Sequence, residues 1–202
     1  LKNLPDEFKK DKEIVLTAVK KYSAILKYAD KKLKGDKKFV LETIKQNGLT
    51  LKQDCRALEY ADKKFKADKE VVLAVVKQAG SALSYADKKL KGDREVVLIA
   101  VKQAGYALEY ADKKLRADKK IVLAAVEQDG RALEYADKKL KGDKEVVLIA
   151  VKQADYLALE YADKKLKGDK KFVLAVAKQT GGALDFADKK LKADKKIVLI
   201  AV

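Results

Sequence analysis

The chain has 202 residues, with 47 Lys and Arg against 31 Asp and Glu, a formal charge of +16, and no histidine. The missing His removes the commonest general base and metal ligand. The lone cysteine, Cys55, allows neither an internal disulfide nor a Cys–His nucleophile pair. No run reaches the roughly 18 apolar residues of a membrane-spanning helix, whereas 48% hydrophobic content suffices for a core.

The first ten residues are charged and lack the apolar heart of a signal peptide. Leu4, Pro5 and Phe8 read as the tail of a helix, with Phe8 in the place that Leu33 takes later. A repeating unit then opens at Asp11 and reopens at Asp36, Asp68, Asp93, Asp118, Asp143, Asp169 and Asp194. The steps are 25, 32, 25, 25, 25, 26 and 25 residues, so seven units are complete and an eighth stops at Val202. The long step carries an insertion, LTLKQDC, over residues 49–55, which either lengthens a helix by nearly two turns, keeping the same face inward, or forms a loop, the helical extension being the one expected. The 26-residue step carries one extra residue near Tyr156 and Leu157.

Each unit has two halves. In the first, DREVVLIAVKQ, the third, seventh and tenth positions are the polar or variable ones. Their i, i+4, i+7 spacing is one edge of a helix. In a strand the seventh position would share a face with the invariantly apolar fifth, and Glu42 there would be costly to bury. The opening Asp suits an N-cap. The Gly that follows (Gly48, Gly80, Gly105, Gly130, Gly181) suits a helix C′ position with positive φ. The second half, YALEYADKKLR, reads as one amphipathic helix with Ala107, Leu108, Ala111 and Leu115 on its apolar face. Asp112 and Arg116 stand as an i, i+4 pair of about 0.3 kcal/mol, and the pair recurs in every unit.

Helices of about 11 residues are marginal alone and must lean on their neighbours. The expected fold is therefore all-α: an α-solenoid of seven helical-hairpin repeats of about 25 residues plus partial repeats at both ends, in one array over 1–202. A strand-plus-helix solenoid of the leucine-rich-repeat kind is the alternative. The ends expose apolar sequence, so the chain reads as the ordered part of a longer protein, or as an array whose open end docks elsewhere.

Units reading DKEVVLIAVKQAGYALEYADKKLKG resemble the tandem repeats of the domain-of-unknown-function 4116 family, found in long arrays in bacteria, some protists and large viruses. ALEYA and DKEVVLxAVKQ carry the resemblance over Asp11 to Val202. It implies a repeat array, and no catalytic residue or cofactor comes with it.

The candidate chemistry is thin. The carboxylates repeat identically, as caps do, whereas a catalytic pair needs one special place. The turns hold one Asp among several Lys, which disfavours calcium and magnesium. No Gly-rich phosphate loop appears. Catalytic, cofactor and metal residues are thus all expected to be absent. An aromatic row, Tyr28, Tyr60, Tyr85, Tyr110, Tyr135, Tyr161 and Phe186, reads as packing between repeats, or as a stacking platform. The runs such as KKLKGDK place Lys113, Lys114, Lys138, Lys139 and Lys141 along one basic edge able to meet a polyanion. Only four of the 47 cations are Arg, the better phosphate reader. Ser81, Tyr106, Arg131, Tyr156 and Gly182 vary after the Gly turn while the frame stays fixed, so partner specificity is expected there or in the insertion over 49–55. The expectation is a non-enzymatic scaffold for protein partners in a reducing, intracellular compartment. Binding of RNA or DNA backbone through the Lys edge is the first alternative, and end-to-end self-association the second.

Overall fold

A computed structural model describes residues 1–46 and 56–201, leaving the side chains of Ser23, Asp155 and Tyr156 outside the description. Gly48, Cys55 and the expected helical extension over 49–55 lie outside the described residues. Among the described residues every regular element is helical, which overturns the strand-plus-helix alternative. The chain divides into two compact units, Leu1–Gln103 and Ala104–Val202.

The second unit shows the repeat most plainly. Asp118 caps the helix Lys119–Gln128, its Oδ1 accepting from the Lys120 and Ile121 N–H groups. That helix buries Ile121, Val122, Ala125 and Val126, while the third and tenth positions, Lys120 and Glu127, stay exposed. The same cap recurs at Asp143 and Asp169 here, and at Asp11, Asp36, Asp68 and Asp93 in the first unit. First helices lie side by side, and each packs on the second halves of its own repeat and the one before. Complete burial of each Val, Ile or Leu contributes about 1.5–3 kcal/mol, which short helices cannot gain alone.

The second half of the repeat departs from expectation. It is not one amphipathic helix. Gly130–Tyr135 is a 3-10 segment, Ala136 and Asp137 are extended, and Lys138–Lys141 is a single α-turn. The same break follows Gly105–Tyr110, Asp155–Tyr161 and Gly181–Phe186. In the first unit it follows Ser23–Tyr28 and Gly80–Tyr85. In the second repeat the segment before the break is α-helical, Ala57–Tyr60. The apolar positions are buried as expected, Ala132, Leu133, Ala136 and Leu140 among them. They face inward because the chain restarts at the Asp, an unfavoured residue inside helices and a favoured one at caps.

That Asp therefore does something other than pair with the basic residue four later. Its Oδ1 accepts from the backbone N–H two residues on, as Asp112 does from Lys114 and Asp137 from Lys139. Its own N–H donates to the last carbonyl of the preceding repeat's α-turn. In the second unit the donors are Asp137 to Arg116 O at 2.9 Å, Asp163 to Lys141 O at 2.9 Å and Asp188 to Lys167 O at 2.9 Å. In the first unit Asp30 reaches Lys9 O, Asp62 Lys34 O and Asp87 Lys66 O. Helix C-termini carry unsatisfied carbonyls, and this rung satisfies one per repeat. The Asp30 bond to the helix Asp6–Lys10 places the N-terminal fragment where the sequence does, as a preceding second half.

The Gly reading also needs correction. Gly105, Gly130 and Gly181 open the 3-10 segments without a left-handed backbone, and the residue before each is extended. What they supply is space. A Cβ on Gly105 would stand 2.5 Å from the carbonyl oxygen of Ala125, in the next repeat's first helix. On Gly130 and Gly181 it would meet Ala150 O and Ala201 O still more closely. In the sixth repeat, which has no Gly here, the first helix runs on to Ala154 and the 3-10 segment lengthens to Asp155–Tyr161.

Candidate interaction surface

The lysines of the expected basic edge separate into three kinds. The first opens each first helix and reaches across to the next repeat. In the second unit Lys119 Nζ bridges the capping Asp143 and Glu145, both at 2.7 Å, while Lys144 reaches Asp169 and Lys170 reaches Asp194. In the first unit Lys37 bridges Asp68 and Glu70, and Lys69 bridges Asp93 and Glu95. The sequence reading missed this clamp. Its signal was present as a Lys 24 or 25 residues before an Asp in successive units, or 31 across the long step.

The second kind ends the single α-turn and folds back on its own repeat. Lys34, Lys91, Lys167 and Lys192 each donate to the carbonyl seven residues earlier. Burial lowers the Lys167 pKa, with Lys164 adding repulsion against the attraction of Glu160. Lys141 occupies the same position and is half-buried. The third kind is the KK pair that starts the turn. Lys113, Lys114, Lys138 and Lys139 are exposed, as are Lys164 and Lys165. Lys138, Lys139, Lys164 and Lys165 line one open groove of about 850 Å3, with Asp163 also in its wall.

The clamp shifts its carboxylates. Burial pushes the Asp68, Asp93 and Asp143 carboxyls up, but the Lys ammonium and the helix N–H groups outweigh it and hold each below the usual range. A group whose pKa is lower folded than unfolded gives stability above its unfolded pKa and loses it as pH falls through the folded value. The urea midpoint is therefore expected to stay level down to the carboxylate range and to drop below about pH 4. Replacing Lys37, Lys69 and Lys119 together by Met should shrink that drop. A variant falling as steeply as the parent would place the acid sensitivity elsewhere.

The variable positions after the turn divide as well. In the second unit Tyr106 is 44% exposed and Arg131 is exposed beside Asp129, at 3.3 Å. The Tyr156 side chain lies outside the described residues. Leu157, immediately before buried Ala158 as Tyr106 is before Ala107, is the outward residue there and is 51% exposed. Counting back from the recurrent ALEY, rather than forward from the capping Asp, finds it. Ser81, in the first unit, is half-buried.

The aromatic row is half-buried throughout. In the second unit successive 3-10 segments pack on one another, which brings Tyr110, Tyr135 and Tyr161 into one column. Burial raises all three hydroxyl pKa values, and Glu109, Glu134 and Glu160 push in the same direction. A column flanked by carboxylates repels phosphate, so the packing reading is favoured over a base-stacking platform. No helix among the described residues is long and apolar enough to cross a membrane.

No curated protein and no solved structure matches the chain. The family model described as "Domain of unknown function (DUF4116)" matches residues 1–34, 11–66, 36–91, 68–116, 118–167 and 169–202. Five of these six matches open on a capping Asp, and five close on the last residue of a single α-turn. Sequence family and structural repeat thus share one register, and the chain belongs to the DUF4116 tandem-repeat family.

Proposed function

We propose that this chain is a non-enzymatic scaffold of the α-solenoid kind that binds a protein partner within a larger assembly. The observation that carries this reading is the set Tyr106, Arg131 and Leu157 in the second unit. These three exposed residues differ from repeat to repeat on a frame whose capping, clamping and core residues barely change. Aromatic residues and Arg are the types enriched where partners bind tightly. A second reading, binding of an RNA or DNA backbone, draws on the exposed KK pairs Lys113–Lys114, Lys138–Lys139 and Lys164–Lys165. It loses support from the lysines spent on clamps and carbonyls, which carry charge but do not face outward together.

The deciding experiment is purification of the tagged chain from its own cells at moderate salt, with and without nuclease. A defined protein is expected to persist after nuclease. It should be lost with Tyr106→Ala plus Arg131→Ala and kept with Lys138→Glu plus Lys139→Glu. Recovery of nucleic acid, lost on the Lys substitutions and indifferent to Tyr106, would replace the first reading by the second.

A further inference from the structure

Within the second unit, the rung from the Asp163 N–H to the Lys141 carbonyl sets the α-turns Lys138–Lys141 and Lys164–Lys167 against one another. Both turns start on a KK pair. Lys138, Lys139, Lys164 and Lys165 are all exposed, and none has an ion pair among the described residues. With Gly142 and Asp163 they line the open groove of about 850 Å3. Gly142 leaves its part of the wall without a side chain, where the preceding repeat has Ala117. Asp163 is the one acid in the wall, and its Oδ1 already accepts from the Lys165 N–H. Four ammoniums against one carboxylate leave the groove with a surplus of three positive charges.

Other lysines of this unit turn aside, Lys119, Lys144 and Lys170 to carboxylates and Lys167 to a carbonyl. They interrupt the basic stripe that a nucleic-acid backbone would need, since such a backbone carries one charge per phosphate and draws its affinity from many contacts in a row. What remains is a compact cluster, and it suits a compact anion. Two phosphate monoester groups carry about −3 to −4 at neutral pH. The neighbouring groove, of about 350 Å3, shares Lys138 and adds Lys113 and Arg116. It also borders Tyr135, whose hydroxyl pKa is raised by burial, Glu134 and Glu109. An anion there would meet those carboxylates, whereas no tyrosine lines the larger groove.

We propose that the groove between Lys138–Lys141 and Lys164–Lys167 binds a compact anion bearing two or more phosphate groups, held by Lys138, Lys139, Lys164 and Lys165. Lysine meets phosphate as a point charge on a flexible stem, so the groove selects for charge density rather than for one ligand shape. The site goes beyond the scaffold reading and does not depend on it, because the protein partner is expected to persist when Lys138 and Lys139 are replaced.

Amide NMR titration of the chain tests this, at about 150 mM salt so that diffuse attraction is screened. The probes are tripolyphosphate, a linear chain, and inositol hexakisphosphate, a ring of monoesters. At least one should shift the amides of 138–142 and 163–165 saturably, and the tighter of the two tells which source of phosphate the groove prefers. Lys138→Gln plus Lys164→Gln should weaken that binding by about tenfold or more. Lys152→Gln plus Lys178→Gln removes the same charge from exposed first-helix positions of the same unit and should leave it unchanged. All four substitutions are at exposed sites, and unchanged circular dichroism confirms that the variants fold. Equal loss in the two variants overturns the proposal, because net charge alone would then attract the probes. An equal response to sulfate would mark an adventitious ion only and overturns it too. So does tighter binding of an oligothymidylate of the same charge, which would assign the groove to a nucleic-acid backbone, or the absence of saturation with either probe at millimolar concentration.

Discussion

Replacing Gly130 by Ala is expected to destabilise the second unit by about 2–3 kcal/mol, while Gly142→Ala leaves it unchanged or raises it by about 0.5 kcal/mol. Both residues are Gly in the same repeat, and simple propensity would favour Ala at either. The difference lies in what a Cβ would meet. At Gly130 it would stand 2.7 Å from the Ala154 Cβ and closer to the Ala150 carbonyl, so a helix backbone must move. A packed repeat cannot yield there without opening the contact between neighbouring first helices. At Gly142 the nearest atom is 3.5 Å away and the backbone is right-handed, with φ −98° and ψ −1°. The chain itself places Ala at the equivalent positions 67, 117 and 193. Urea unfolding of the two variants decides the point. Equal midpoints would mean that the Gly opening each of these 3-10 segments is not there for the close approach.

The pairing of that Gly with the next helix was legible in the sequence, though only as a correlation. Gly80, Gly105, Gly130 and Gly181 precede Ala100, Ala125, Ala150 and Ala201 by 20 residues. In the sixth repeat the Gly is missing, and the next helix carries Val176 in the place of Ala. Repeat length, capping Asp and first helix followed directly from period and polarity. The second half did not, because its buried Ala and Leu fall at spacings that an unbroken helix also satisfies. One residue type alone spoke against that helix. An Asp recurring in the middle of a predicted helix, always ahead of two Lys, marks a second N-cap. Of the variable positions, Tyr106 and Arg131 are exposed and Ser81 is half-buried, while at the 26-residue step the extra residue makes Leu157 the one that precedes the buried Ala. The Lys edge was over-read for a physical reason. Composition gives a charge and not a direction, and two of the four lysines in the run over 164–170, Lys167 and Lys170, turn to a carbonyl or a neighbouring carboxylate.

Asp137 gives the sharpest test of how the second halves are held together. Its side chain caps Lys138–Lys141, and its N–H makes the rung to Arg116 O. Two substitutions separate these. Asp137→Ala removes the cap and keeps the N–H, and should destabilise the second unit by about 1 kcal/mol. Asp137→Pro removes both. Proline is sterically admissible, because Asp137 has φ −60° and ψ 150° and Ala136 before it is extended at φ −67° and ψ 155°. Pro5 already holds the corresponding position ahead of Asp6–Lys10, at φ −50° and ψ 153°. A stiffer unfolded chain offsets about 0.5 kcal/mol of the loss. Stranding the Arg116 carbonyl adds about 1–3 kcal/mol if water cannot replace the donor. The Pro variant is thus expected to fall below the Ala variant by about 1–2 kcal/mol in urea unfolding, with faster amide exchange through 105–116 as the local signature. Equal stability of the two variants would show that water takes the place of the rung. The repeats would then be joined chiefly by their apolar faces and the Lys–Asp clamp, and the order of the ADKK segment would depend on its cap alone.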